Sequence, residues 1–136
     1  MAKKGKKKKK LVIGLVDTIE IRGKKGTVKK KALFDTGATR TSVDFEVAAK
    51  AGIGPIIKTV KVKAASNPKG VKKRMVALAH MKVKKRNMKA EVSLEDRSRL
   101  PYPVLIGRDL IHNNFIIDVE KTHAGPRTAD IKKKYK

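Results

Sequence analysis

The sequence contains no cysteine, no tryptophan and no glutamine, and aromatic residues make up only 4% of its 136 residues. Without cysteine, disulfide bonds, thiol catalysis and cysteine-ligated zinc are excluded. His80, His112 and His123 lie too far apart along the chain to form a local ligand set, so we expect no metal and no cofactor. No run of about 18 apolar residues is present, and we expect no membrane partner.

Acidic residues are also scarce, since 12 Asp and Glu stand against 36 Lys and Arg and give a net charge of +24. Eleven of the basic residues lie in residues 1–10 and 132–136, and the rest of the chain keeps a surplus of 13. Lysine runs of this kind do not fold alone, because neighbouring like charges repel. The sequence therefore predicts a basic N-terminal tail over 1–10, one domain over 11–120 and a basic extension over 121–136, with tails that are disordered when free.

This charge favours a polyanionic partner, and nucleic acid is the commonest one. Our main expectation is a cytoplasmic, ribosome-associated protein of archaeal type that binds structured RNA, most of all rRNA, beside neighbouring ribosomal proteins. The lack of glutamine and cysteine in a lysine-rich chain is typical of a thermophilic source. The residues predicted to bind RNA phosphates are Lys3, Lys4, Lys6, Lys7, Lys8, Lys9, Lys10, Lys69, Lys72, Lys73, Arg74, Lys84, Lys85, Arg86, Lys132, Lys133, Lys134 and Lys136.

Two other interpretations account for the same charge. A solubility or nuclear-targeting tail would explain the lysine runs but not the basic surplus of the central part. A DNA-compacting protein would share the charge, but the sequence shows no helix suited to reading a DNA groove. Both therefore stand behind RNA binding.

Alternating apolar and polar residues predict an all-β domain with one or two short helices, closed into a small barrel. A continuous strand is expected over 11–21, with a hairpin partner over 27–34, and a second hairpin over 56–65 and 71–83. FEVAAKAG predicts a helix, because Asp44 can cap its first turn and Gly52 can end it. The remaining predicted elements are a strand over 88–95, a buried strand at PVLIG, a short helix at RDLIHNN and a last strand at FIIDV.

The most distinctive local pattern is ALFDTGA over 32–38, where hydrophobic residues lead into Asp-Thr-Gly, followed about 70 residues later by VLIGRDL over 104–110. Together they resemble retropepsin-like aspartic proteases. The stretch LEDRSRLPYPVLIGRDLIHNNFIIDV over 94–119 is similar to the retropepsin-like family formerly named ATP-dependent zinc proteases. The resemblance covers residues 11–120 and implies an acid-protease barrel.

In that family the fold is half of an enzyme, and two copies dimerise so that two carboxylates share one proton. The resemblance implies that Asp35 is the catalytic carboxylate, Thr36 joins the two turns and Gly37 gives the water room. It also implies a homodimer formed through the Asp-Thr-Gly turn. The alternative to RNA binding is thus a homodimeric aspartic endopeptidase. A further possibility is that Asp35 only shapes a hydrogen-bonded turn.

RNA binding is placed first because cleavage does not require lysine at both ends of the chain. The hairpin tip from Ser66 to Gly70, where the family has its flap, is also strongly basic in this sequence.

Overall fold

The computed structural model describes residues 9–64 and 67–121, with side chains described outside residues 62–71. Within these ranges it contains nine strands and two short helices. The strands are β1 (Leu11–Ile13), β2 (Val16–Gly23), β3 (Gly26–Phe34), β4 (Ser42–Asp44), β5 (Ile56–Ala64), β6 (Asn67–Val83), β7 (Arg86–Glu95), β8 (Val104–Ile106) and β9 (Phe115–Ile117). The helices are α1 (Phe45–Ala51) and α2 (Arg108–Ile111). Neither helix is long and apolar enough to cross a membrane.

Six strands close into a barrel in the order β2, β3, β8, β4, β7, β6, and β6 pairs back onto β2. β5 adds to the free edge of β6 and forms a hairpin with it. The barrel encloses apolar side chains from alternate strand positions, among them Ile19, Ile21, Met81 and Val83, all at most 1% exposed. The all-β closed barrel with two short helices is therefore confirmed. It follows from the alternation, because every second side chain of a strand points to the same face.

The hairpin of β2 and β3 packs its turn against the end of α1. A Cβ atom on Gly23 would lie 2.3 Å from the carbonyl oxygen of Ala51, so only glycine allows this approach. Asp44 caps α1 by accepting the N–H of Glu46 at 3.0 Å, and Gly52 ends it with a φ of 70°. The predicted helix and both of its end residues are confirmed.

The first predicted strand is divided in the structure. Residues 11–21 do not form one strand, because the chain leaves the first sheet before Val16 and β1 pairs in parallel with β9. The pairing continues past the strand ends, where the N–H of Asp118 donates to the oxygen of Ile13 at 2.8 Å. The ring of Phe115 in β9 contacts Phe34 edge to face, with centroids 5.6 Å apart. This small sheet therefore lies beside the end of β3.

Candidate active site

Asp35 follows β3 directly and begins a tight turn. Its N–H donates to the oxygen of Ile106 in β8 at 2.8 Å, and its carbonyl accepts the N–H of Ala38 at 3.1 Å. The N–H of Gly37 donates to Oδ1 of Asp35 at 2.8 Å, which fixes the orientation of the carboxylate. The side chain is half-buried, and Oδ2 has no hydrogen-bond partner within the described ranges. One carboxylate oxygen is therefore held while the other is available.

Thr36 and Gly37, the other two predicted catalytic residues, lie exposed in the same turn. A Cβ atom on Gly37 would come within 3.1 Å of Oδ1 of Asp35, so glycine keeps the space beside the carboxylate open. The structure thus brings the three residues together at one accessible point of the surface.

Arg108, the first residue of α2, fixes this turn by hydrogen bonds to its backbone and to Thr39. Its N–H donates to the oxygen of Ala38 at 2.8 Å, and its guanidinium donates to the oxygen of Thr36 at 3.0 Å and to Oγ1 of Thr39 at 3.1 Å. The preceding Gly107 lies so close that a Cβ atom there would be 2.7 Å from the carbonyl carbon of Arg40. The Gly-Arg pair after a buried strand was a sequence signal for this contact, but the sequence analysis gave Arg108 no role.

A second contact, between Thr41 and Asp109, fixes the far end of the loop. Thr41 is fully buried, and its hydroxyl donates to Oδ1 of Asp109 at 2.7 Å while its N–H donates to Oδ2 at 3.1 Å. The same hydroxyl accepts the N–H of Gly107 at 3.1 Å. Sequence reasoning missed this contact, since its partners are 68 residues apart and neither belongs to the Asp-Thr-Gly pattern.

Replacing Thr41 by valine should lower the free energy of unfolding by about 1–3 kcal/mol. The N–H of Gly107 loses its buried acceptor, and Oδ1 of Asp109 keeps only the N–H of Leu110. Urea denaturation of the purified chain measures the change. Thr39→Val is the matched control, because Thr39 is exposed and makes only the contact with Arg108. An equal loss in both variants would show that the Thr41 contact is not a special support of the loop.

A cleft of about 390 Å³ begins at Ala38 of the turn and runs toward the hairpin of β5 and β6. Its lining combines the charged residues Arg40, Arg74 and Glu95 with the apolar residues Val60 and Leu105. Glu95 binds Arg74 at 2.9 Å and Arg97 at 2.6 Å, so this carboxylate is shared by two guanidinium groups. The cleft meets the Asp-Thr-Gly turn at Ala38, three residues after Asp35, while Asp35 itself does not line it.

Several of the cations predicted to bind RNA are occupied by the protein itself. Arg74 pairs with Glu95, and Nζ of Lys84 lies 3.2 Å from Oδ2 of Asp17. The guanidinium of Arg86 donates to the carbonyl oxygens of Asn114 and Lys9, and so ties the start of β9 to the start of β1. The described residues of the set that are exposed are Lys9, Lys10, Lys72, Lys73, Lys84 and Lys85. The others, Lys3, Lys4, Lys6, Lys7, Lys8, Lys132, Lys133, Lys134, Lys136 and the side chain of Lys69, lie outside the described part.

Comparison with known families favours the second of the two expectations drawn from the sequence. A family model described as RimB-like, retropepsin-like aspartic endopeptidase RimB, matches residues 44–128. The chain belongs to the RimB-like family. The matched stretch starts after the Asp-Thr-Gly turn and includes the cleft residues Arg74 and Glu95 as well as Gly107, Arg108 and Asp109.

Solved structures agree on the fold of this RimB-like chain. EIAV protease in complex with the inhibitor HBY-793 has 18% identity and a TM-score of 0.55, over 72% of this chain and 85% of the viral one. A Legionella pneumophila protein of unknown function has 20% identity and a TM-score of 0.55, over 84% and 97% of the two chains. The foamy viral protease-reverse transcriptase in complex with an RNA/DNA hybrid has 23% identity and a TM-score of 0.53, over 86% of this chain and 14% of that one. A search of curated proteins finds no match.

The expectation of a ribosomal, rRNA-binding protein with rRNA and ribosomal proteins as partners is wrong. The family is described as one of aspartic endopeptidases, and the fold is shared with EIAV protease, in agreement with the alternative. The prediction was wrong because a high net charge does not show that the basic side chains form a free surface for RNA. Arg74, Lys84 and Arg86 instead bind acidic or carbonyl groups of the same chain.

Proposed function

We propose that this protein is a homodimeric aspartic endopeptidase in which Asp35 of each copy is the catalytic carboxylate. The observation that carries the proposal is the fixed carboxylate, with Oδ1 bound to the N–H of Gly37 and Oδ2 available. Membership of a family described as aspartic endopeptidases supports the reaction class. Thr36 and Gly37 complete the site, as the residue that joins two turns and the residue that leaves room for water.

The reaction requires a second carboxylate, and a second copy is its source. One group must accept a proton from water while another donates one to the substrate carbonyl. In the described part of the chain, the neighbouring carboxylate of Asp109 is occupied by Thr41 and belongs to the support of the loop. Two Asp35 side chains brought together share one proton, because like charges so close cannot both ionise.

The two carboxylates then act as general base and general acid. The ionised Asp35 accepts a proton from a water molecule, and the water oxygen forms a bond to the carbonyl carbon of the peptide. The protonated Asp35 gives its proton to the carbonyl oxygen, so the tetrahedral intermediate carries no net oxyanion. When the C–N bond breaks, the proton taken from water passes to the leaving nitrogen, and the dyad regains a proton from the collapsing hydroxyl.

The small sheet of β1 and β9 is the surface at which we place the second copy. Val12, Ile116 and Val119 are apolar yet 43%, 52% and 64% exposed. Within the described residues β1 and β9 pair only with each other, and a two-stranded sheet has unpaired edges and little stability of its own. Phe115 of this sheet contacts Phe34, the residue before Asp35, so we place the two Asp35 turns near this subunit contact.

The proposal is tested by digesting an unfolded protein substrate with the purified full chain over a range of acidic to neutral pH. Mass spectrometry should show internal peptide-bond cleavage that pepstatin inhibits. Absence of cleavage at every pH, with the chain folded and dimeric, would exclude the proposed activity.

A further inference from the structure

A second groove of the described molecule is separate from the cleft that begins at Ala38. It has a volume of about 790 Å³ and lies between three elements, the hairpin of β2 and β3, helix α1 and the segment from Arg97 to Pro103. It shares no lining residue with the cleft of about 390 Å³ that begins at Ala38. The proposed peptidase mechanism assigns it no part.

Arg97 borders this groove and is only 6% exposed. Its Nε donates to the oxygen of Tyr102 at 2.9 Å and its Nη1 to Glu95 at 2.6 Å, which fixes the guanidinium plane. Nη2 makes no hydrogen bond within the described ranges. Every fully buried side-chain nitrogen in those ranges has a hydrogen-bond partner, so Nη2 is not fully buried. Nη2 therefore reaches solvent, and the groove is the solvent space that Arg97 borders.

The groove carries more positive than negative charge, although Arg97 is paired with Glu95. Four cationic and two acidic side chains line it. Both oxygens of Asp44 are occupied, one by the N–H of Arg97 at 2.7 Å and the other by the N–H of Glu46 at 3.0 Å. Lys25 and Lys30 come from the hairpin of β2 and β3 and Lys50 from α1, and none of the three forms an ion pair in the described part of the chain.

The remaining wall is apolar. Leu100 is 49% exposed although it is a large hydrophobic residue, and it lies in the same groove as Val47, Ala49 and Pro103. Ser98 lines the groove too, but its hydroxyl and N–H bind Asp96, and these bonds hold the pKa of Asp96 below its ordinary value. The groove therefore offers both cationic and apolar side chains to a ligand.

We propose that this groove binds a small anionic ligand with an apolar body. The carboxylate of the ligand lies against Nη2 of Arg97 and the ammonium groups of Lys30 and Lys50, and its hydrocarbon part covers Leu100. A free guanidinium donor in a partly dehydrated site recognises a carboxylate well, because charge-assisted hydrogen bonds strengthen where water is excluded. The proposal stands independently of the peptidase activity.

Calorimetric titration of the full chain at physiological salt tests the two halves of the ligand separately, with octanoate, octanol and acetate as probes. Octanoate should bind with one molecule per chain. Octanol, which has no charge, and acetate, which has no body, should each bind at least about tenfold more weakly. Equal binding of octanol and octanoate, or no octanoate binding at all, overturns the proposal.

Two double variants locate the site and remove the same charge from this very basic protein. Lys30→Ala with Lys50→Ala should weaken octanoate binding at least about tenfold. Lys29→Ala with Lys89→Ala should leave it unchanged, since both lysines are exposed and neither lines the groove. A similar loss in both pairs would show that octanoate responds only to the overall charge, which overturns the proposal. The urea midpoint of each variant confirms that it is folded.

Discussion

Asp35→Asn should lose at least about 100-fold in peptidase rate, the size of effect expected when a general acid–base group is removed. The variant should remain as stable as the wild type, because the amide oxygen of asparagine can still accept the N–H of Gly37 that shapes the turn. Asparagine cannot take a proton from water, so only the chemistry is lost. Initial rates on a defined peptide and urea unfolding curves measure the two effects separately.

Asp96→Asn is the matched control. The carboxylate of Asp96 also accepts the N–H of the residue two positions later, Ser98, at 2.9 Å, and it lies outside the cleft. It should keep the wild-type rate. Retained cleavage in Asp35→Asn would show that Asp35 only shapes the turn, which is the structural reading that the sequence left open.

Mixed dimers show whether both carboxylates are needed. If wild-type and Asp35→Asn chains are refolded together in equal amounts, about a quarter of the dimers carry two wild-type subunits. The rate per wild-type chain should then be about half of that of the unmixed protein. A rate that stays proportional to the amount of wild-type chain would mean that one subunit acts alone, against the proposed sharing of a proton.

The features that local sequence determines were predictable. Helix α1 follows from Asp44, its apolar face and Gly52, all within nine residues. The Asp-Thr-Gly turn is likewise local, because the bond from Gly37 to Asp35 spans two residues. Such contacts form among neighbours in the chain, so residue types at a fixed spacing are enough to indicate them.

The features that depend on distant contacts were not predictable in the same way. β1 does not continue into β2 because it pairs with β9, about 100 residues later in the chain. The apolar residues at 11–13 are compatible with either sheet, so the sequence pattern alone does not distinguish the two pairings. The bond between Thr41 and Asp109 spans 68 residues, and although Asp109 lies in VLIGRDL, no local pattern identifies Thr41 as its partner. The burial of Arg97 could not be predicted either, because a basic sequence contains many arginines and lysines. Only the fold identifies its partners, Glu95 and the carbonyl oxygen of Tyr102.

Ile116→Glu should weaken dimerisation by at least about 100-fold, which corresponds to about 3 kcal/mol. Ile116 is 52% exposed on β9, and a two-fold contact there would bury two unpaired carboxylates in the variant, one from each copy. Desolvation and mutual repulsion both oppose that contact. Because each site needs two Asp35 side chains, the peptidase rate per chain should fall at low protein concentration and recover as the concentration rises.

Sedimentation velocity and the concentration dependence of the rate measure this effect, with Leu78→Glu as the control. Leu78 is also a large apolar residue, 41% exposed, but it lies on β6 and not on the sheet of β1 and β9. Leu78→Glu removes an apolar side chain of the same size as Ile116→Glu does and adds the same charge. Any difference between the two variants is therefore due to the position of the substitution and not to the net charge. A monomer formed by both variants, or by neither, would place the subunit contact elsewhere. A variant that stays monomeric at high concentration yet cleaves at the wild-type rate would require a second carboxylate from within one chain.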